Sequence, residues 1–109
     1  MRWYRNLYLG TNAAPRIQKI RKKASEGTWM AGVYYLTLTS ASGGLLDIFH
    51  NGMLKNSLFE KNQCLDVVGV AEGRMEAFRL AGQILAEVYG KTGGFDVRSS
   101  FGAEDFVED

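Results

Sequence analysis

The stretch CLDVVGVAEGRMEAFRLAGQILAEVYGKTGGFDVRSSF, residues 64–101, is the part of the chain from which a fold can be read. Leu65 to Ala71 is rich in β-branched residues and predicts a strand. Arg74 to Tyr89 predicts a helix, because Met75, Phe78, Ala81, Leu85 and Val88 recur at helical spacing, widened by Leu80 and Ile84. Glu76 falls in its first turn, where the helix end attracts negative charge, and Glu87 stands one turn before Lys91. Gly90 reads as a terminator and Gly93-Gly94 as a reversal. Beyond it, Phe95, Val97, Ser99 and Phe101 alternate with Asp96, Arg98 and Ser100, which predicts a two-faced last strand.

The preceding half is read in the same way. Leu7-Tyr8-Leu9, ended by Gly10, predicts a first strand. Ala13, Ile17, Ile20 and Ala24 lie at helical spacing over residues 13–24, with Thr11 or Asn12 as a cap and Pro15 in the first turn. Val33 to Thr39 alternates, with Tyr34, Leu36 and Leu38 on one side and Tyr35, Thr37 and Thr39 on the other. Leu45, Leu46, Phe49 and Met53 suggest a short helix interrupted near Asn51-Gly52.

With that short helix treated as a decoration between the second and third strands, the order is βαββαβ. That is a ferredoxin-like α+β open sandwich. The alternating strands favour it, since a sheet covered on both faces would show continuous apolar strands. The alternative is a small three-layer α/β sheet in which residues 44–59 form a true crossover.

Length and composition bound the rest. At 109 residues the chain is the size of a single domain, expected over 1–109 with an acidic C-terminal tail at 102–109. Hydrophobic residues at 46% and charged residues at 23% are ordinary for a globular protein. One cysteine, Cys64, excludes an internal disulfide and fits a reducing compartment. No apolar run is long enough to span a bilayer, and none follows the basic start as in a signal peptide, so the expectation is a cytoplasmic protein with no membrane partner.

The net charge of +1 conceals an asymmetry. Up to Ser25 there are seven basic residues and no acid, which leaves six basic and twelve acidic residues behind them. Such polarity serves either a nucleic-acid or membrane partner or mutual attraction of the basic segment and acidic tail within or between chains, and the near-zero total favours the latter.

No complete catalytic, metal or cofactor signature is present, so no catalytic residue, metal or cofactor is assigned. Gly90-Lys91-Thr92 resembles the tail of a phosphate loop but follows a helix and has Leu85 where a further glycine is needed. Ser40, Ser42, Gly43 and Gly44 form a candidate anion site, if a helix begins there. His50, the single histidine, has Asp47 three residues earlier, on the same face if the helix forms. Pairing of His50 with Cys64 would need chance proximity. A nucleic-acid surface would use Arg16, Lys19, Lys22 and Lys23 with Tyr8 and Tyr35.

On the ferredoxin-like arrangement, the open sheet face carries Tyr35, Thr37, Val68, Val70, Asp96 and Arg98. An apolar patch containing Tyr35, Val68 and Val70, with Arg98 beside it, calls for a cover. A symmetric homodimer supplies one. Trp3 and Tyr4, or Phe106 and Val107, folding over the same face supply another.

The segments Trp3-Tyr-Arg-Asn-Leu-Tyr-Leu-Gly10, Val68-Gly-Val-Ala71 and Gly93-Gly-Phe-Asp-Val-Arg98 resemble a family of short uncharacterised proteins from Clostridia-type Firmicutes, across nearly the whole chain. The resemblance implies an intracellular bacterial origin and brings no activity, cofactor or site residue. The expectation is therefore a binding or interaction module, self-associating through its sheet, rather than an enzyme. A nucleic-acid binder using the basic helix, and a small-anion binder or enzyme at residues 40–44, are the alternatives.

Overall fold

A computed structural model describes residues 2–26, 30–38, 46–50, 66–94 and 96–108. The elements in chain order are β1 (Arg2–Leu9), α1 (Ile17–Ser25, entered through a 3-10 turn at Ala14–Arg16), β2 (Val33–Leu38), β3 (Leu46–His50), β4 (Asp66–Glu72), α2 (Arg74–Thr92) and β5 (Phe106–Glu108). They build a small α+β domain around one mixed sheet of order β3-β2-β4-β1-β5. β1 and β4 run parallel side by side, and the other neighbours are antiparallel.

β4 explains the layering. Val67, Val68, Val70 and Ala71 are all fully buried, the continuous apolar run of a strand covered on both faces. α1 lays Ile17, Ile20 and Ala24 on one face, over Trp3, Val33, Tyr35, Val67 and Val70. α2 lays Ala77, Leu80, Ile84 and Val88 on the other, over Leu36, Leu38, Val68 and Ala71. A register shift between Leu36 and Thr37, opposite Val68, breaks the period-two pattern. Val68 therefore turns toward α2 while Val67 and Val70 turn toward α1.

The sheet differs from the ferredoxin-like arrangement in two respects. That sheet is antiparallel throughout with both helices on one face. Here β1 and β4 are parallel and the helices cover opposite faces. The alternation in β2 misleads because Tyr35 and Thr37, which look half-polar, are both buried under the α1 side. Residues 46–50 of the expected short helix are instead β3, a hairpin partner of β2, and the rest of that stretch lies outside the described residues. The last strand falls later than expected. Arg98–Ser100 is a 3-10 turn that buries Val97 and Phe101, and β5 is Phe106–Glu108 on the edge of β1. The apolar stripe of α2 is also rotated: its core side is Ala77, Leu80, Ile84 and Val88, which leaves Met75 and Phe78 outside.

The charge asymmetry is partly met inside the chain. Arg2 forks onto buried Asp66, with Nε to Oδ1 at 2.8 Å and Nη2 to Oδ2 at 3.0 Å, and its guanidinium lies over the Phe106 ring. This clamps β1, β4 and β5 at one end of the sheet. Arg16 pairs with Glu72, and Arg5 donates to the Glu104 carbonyl. Stripping Arg2 to alanine would leave the Asp66 carboxylate buried without its partner, at a cost of about 1–3 kcal/mol.

Two tyrosines under the helices hold their protons tightly. Burial, and then the hydrogen bond to Glu87 and its charge, push the Tyr8 hydroxyl up to about 12. Burial alone raises Tyr35 to about 12. Both values exceed the ordinary one near 10, so the neutral phenols stabilise the fold fully below about pH 10, and that stability drains away as pH rises toward 12. Alkaline unfolding followed by circular dichroism should fall in this window, together with the late part of the 295 nm phenolate absorbance. Tyr35→Phe should move the unfolding midpoint to higher pH; an unchanged midpoint would contradict the assignment.

Candidate binding crevice at the carboxyl ends of the parallel strands

β1 and β4 end side by side, and the chain leaves them toward opposite faces of the sheet. This is a topological switch point, the place where an open α/β sheet leaves a crevice outside its strand ends. Here the crevice measures about 630 Å³ and is walled by the loop Leu9–Asn12 after β1, the joint Glu72–Gly73, and the first turns of α2.

Its geometry follows from what each loop must satisfy. After β1, the Gly10 N–H donates to the Val70 carbonyl at 2.9 Å, and the Gly10 carbonyl accepts from Ala13 and Ala14, which starts the turn into α1. After β4, Gly73 takes φ +91° and ψ 148°, a region essentially confined to glycine, and its N–H donates to the Gly32 carbonyl. Gly73 is the N-cap of α2, so Glu76 is the third residue of the helix.

Glu76 does more than complement the helix end. Its Oε2 accepts the Glu72 N–H at 2.6 Å, and its Oε1 accepts the Asn12 N–H at 2.7 Å. One carboxylate thus ties both strand-to-helix joints together, at the place where free N–H groups would otherwise attract an anion. Space is reserved for it: a Cβ on Gly10 would collide with the Glu76 carboxyl group. The other acid in the wall, Glu72, is held by Arg16. Both acids are therefore engaged from within.

The basic groups of the wall are not. Arg79, exposed one turn and a half into α2, has no side-chain hydrogen bond or ion pair among the described residues. Arg74 lies over the Phe78 ring, 5.6 Å from guanidinium carbon to ring centroid, and forms no ion pair among them either. Gln83 lies one turn beyond Arg79 on the same wall.

The structure scatters the sequence candidates. Ser40, Ser42, Gly43 and Gly44 lie outside the described residues, as does Cys64. His50 ends β3 beside the Tyr34 ring, and as a strand residue it cannot share a face with Asp47 three positions away. Of the nucleic-acid candidates, Tyr8 packs on the α2 side, Tyr35 is 1% exposed beneath α1, and Arg16 is committed to Glu72. Lys19, Lys22 and Lys23 remain on α1 without those aromatics. Of the interface candidates, Tyr35 and Val70 are buried on the α1 side, Val68 is buried under α2, and Arg98 is exposed in a turn, so they form no common patch.

No cluster of three or more potential metal-ligating His, Cys, Asp or Glu exists among the described residues. No helix among them is long and apolar enough to cross a membrane. No known protein family, curated protein or solved structure matches the chain.

The Gly10–Glu76 contact predicts a specific non-additivity. Glu76→Ala should lose about 1–3 kcal/mol, chiefly by leaving the part-buried Glu72 N–H without its acceptor, since water can reach the Asn12 N–H. Gly10→Ala should be costly in the native protein but nearly harmless in the Glu76→Ala background, giving a coupling of about 0.5–3 kcal/mol. Urea unfolding of the four proteins measures it, and strictly additive costs would contradict the shared space.

Proposed function

We propose that this protein is a small cytoplasmic binding module whose ligand site is the crevice between the β1 and β4 ends, and that the ligand is a small anion bearing a carboxylate or phosphate group. One observation carries the reading. Within a wall whose acids, Glu72 and Glu76, are already engaged, the guanidinium of Arg79 is unpaired among the described residues. An arginine presents its donors as a rigid fork suited to carboxylate and phosphate oxygens.

Arg74 adds positive charge at the same rim, and Thr11, Asn12 and Gln83 supply neutral polar groups for the remainder of a ligand. Glu76 fills the innermost anion position, so the ligand sits outward of it, against Arg79 and Gln83. The single cysteine suits a reducing compartment. The expected anion loop at residues 40–44 plays no part in this proposal.

Inorganic phosphate and succinate, each titrated against sodium chloride at matched ionic strength, test the reading by amide chemical shifts. Saturable shifts at Thr11–Asn12 and Arg74–Gln83, lost in Arg79→Ala, are expected. A ligand at 100 times its dissociation constant adds about 2.7 kcal/mol of stability, which a thermal melt would register independently. Absence of shifts with both anions, or equal shifts in Arg79→Ala, would overturn it.

A further inference from the structure

The crevice is larger than any bare anion that Arg79 would hold. Its volume of about 630 Å³ falls within the range of small-molecule sites. An inorganic anion, only a few times the size of a water molecule of about 30 Å³, leaves most of that space empty. The charges of the wall and the order of residues along α2 describe what fills the remainder.

The charged residues of the wall are Glu72, Arg74, Glu76 and Arg79. Arg16, from the turn before α1, pairs with Glu72 and cancels it. The Glu76 carboxylate accepts from the Asn12 and Glu72 N–H groups, neutral donors that leave its charge in place. Against it stand the guanidinium groups of Arg74 and Arg79, so the wall keeps a surplus of one positive charge. A single carboxylate balances that surplus. A phosphate monoester, with close to two negative charges at neutral pH, exceeds it beside Glu76.

Met75, Arg79 and Gln83 follow one another at intervals of four residues along the same wall, about 5–6 Å apart. Gln83, toward the C-terminus of α2, adds a neutral donor beside the fork of Arg79. Met75, toward the N-terminus, offers an apolar thioether chain. The facing loop contributes the polar Thr11 and Asn12. Of the other apolar side chains in the wall, Leu9 packs partly into the core on the α1 side and Leu80 is 3% exposed. Met75, at 65% exposed, is therefore the accessible apolar surface next to Arg79. Its unbranched, deformable side chain suits contact with an apolar group. We propose that the ligand is an amphipathic monocarboxylate, with its head on Arg79 and Gln83 and its apolar body on Met75. This inference rests on the anion reading above and narrows it in charge and in shape.

Amide chemical shifts of the whole chain, titrated with acetate, butyrate, hexanoate, succinate and inorganic phosphate at matched ionic strength, test the proposal. Each methylene that is buried tightens binding about fourfold, so hexanoate should bind roughly tenfold or more tighter than acetate. It should also bind tighter than succinate or phosphate. Met75→Ser, an exchange at an exposed position, should keep the native circular dichroism, bring hexanoate down to the affinity of acetate and leave acetate itself unchanged. Arg79→Ala should weaken both. Hexanoate binding no tighter than acetate, a chain-length preference that survives Met75→Ser, or succinate or phosphate binding tighter than hexanoate would each overturn the inference. In those cases Arg79-dependent shifts with phosphate or succinate would leave the anion site standing. Absence of Arg79-dependent shifts with all of these anions would overturn both.

Discussion

The parallel pairing of β1 and β4 is the constraint from which the rest of the molecule follows. Two adjacent strands running the same way end at the same edge of the sheet, so both joints must leave from one place. When the chain departs to opposite faces, neither joint covers the other, and the backbone N–H groups there need acceptors. Glu76 provides them for Asn12 and Glu72 with a single carboxylate. Gly10 leaves the room in which that carboxylate sits. The three-layer arrangement, the two separate cores and the crevice at the strand ends all descend from this edge.

Much of this was legible in the residues. Arg74 to Tyr89 showed its helix, and Glu76 showed its place in the first turn. The run Val67–Ala71 showed a strand, and its continuity was the true sign of a doubly covered sheet. The signal was outweighed by Tyr35 and Thr37, which by type look like the wet side of a half-exposed strand. A tyrosine can bury its ring, however, and here Tyr35 packs edge-on against Trp3 at 6.1 Å. The bulge at Val68 was invisible for a different reason: it is created by the register of β2 against β4, a long-range property that no local pattern records. Residues 95–101 alternate as a strand would, yet Arg98–Ser100 form a 3-10 turn between buried Val97 and Phe101. Short alternating segments carry little weight without a neighbour to pair with.

The candidate site was less legible than the fold. Gly10, Asn12, Glu72 and Glu76 come from two places about sixty residues apart, and only the parallel pairing of their strands joins them. The glycine-rich loop at 40–44, where the composition is conspicuous, lies outside the described residues. In the sequence, Arg79 looks like any solvated helix charge. What distinguishes it is that the acids around it already have partners, which is a fact about geometry. α2 places Arg79 in the crevice wall and leaves Met75, Phe78 and Tyr89 exposed. The core beneath it is carried by the small and medium residues Ala77, Leu80, Ile84 and Val88.

Glu76 bridges the two strand-to-helix joints, and amide hydrogen exchange reads that bridge. Asn12 is exposed to solvent in a loop, so its N–H would exchange at nearly the free-peptide rate if nothing accepted from it. Both the Asn12 and Glu72 amides should be measurably protected in the native protein, with protection lost together in Glu76→Ala while the Val70 amide remains protected. Unprotected exchange at Asn12 in the native protein, or protection that survives removal of the carboxylate, would contradict it.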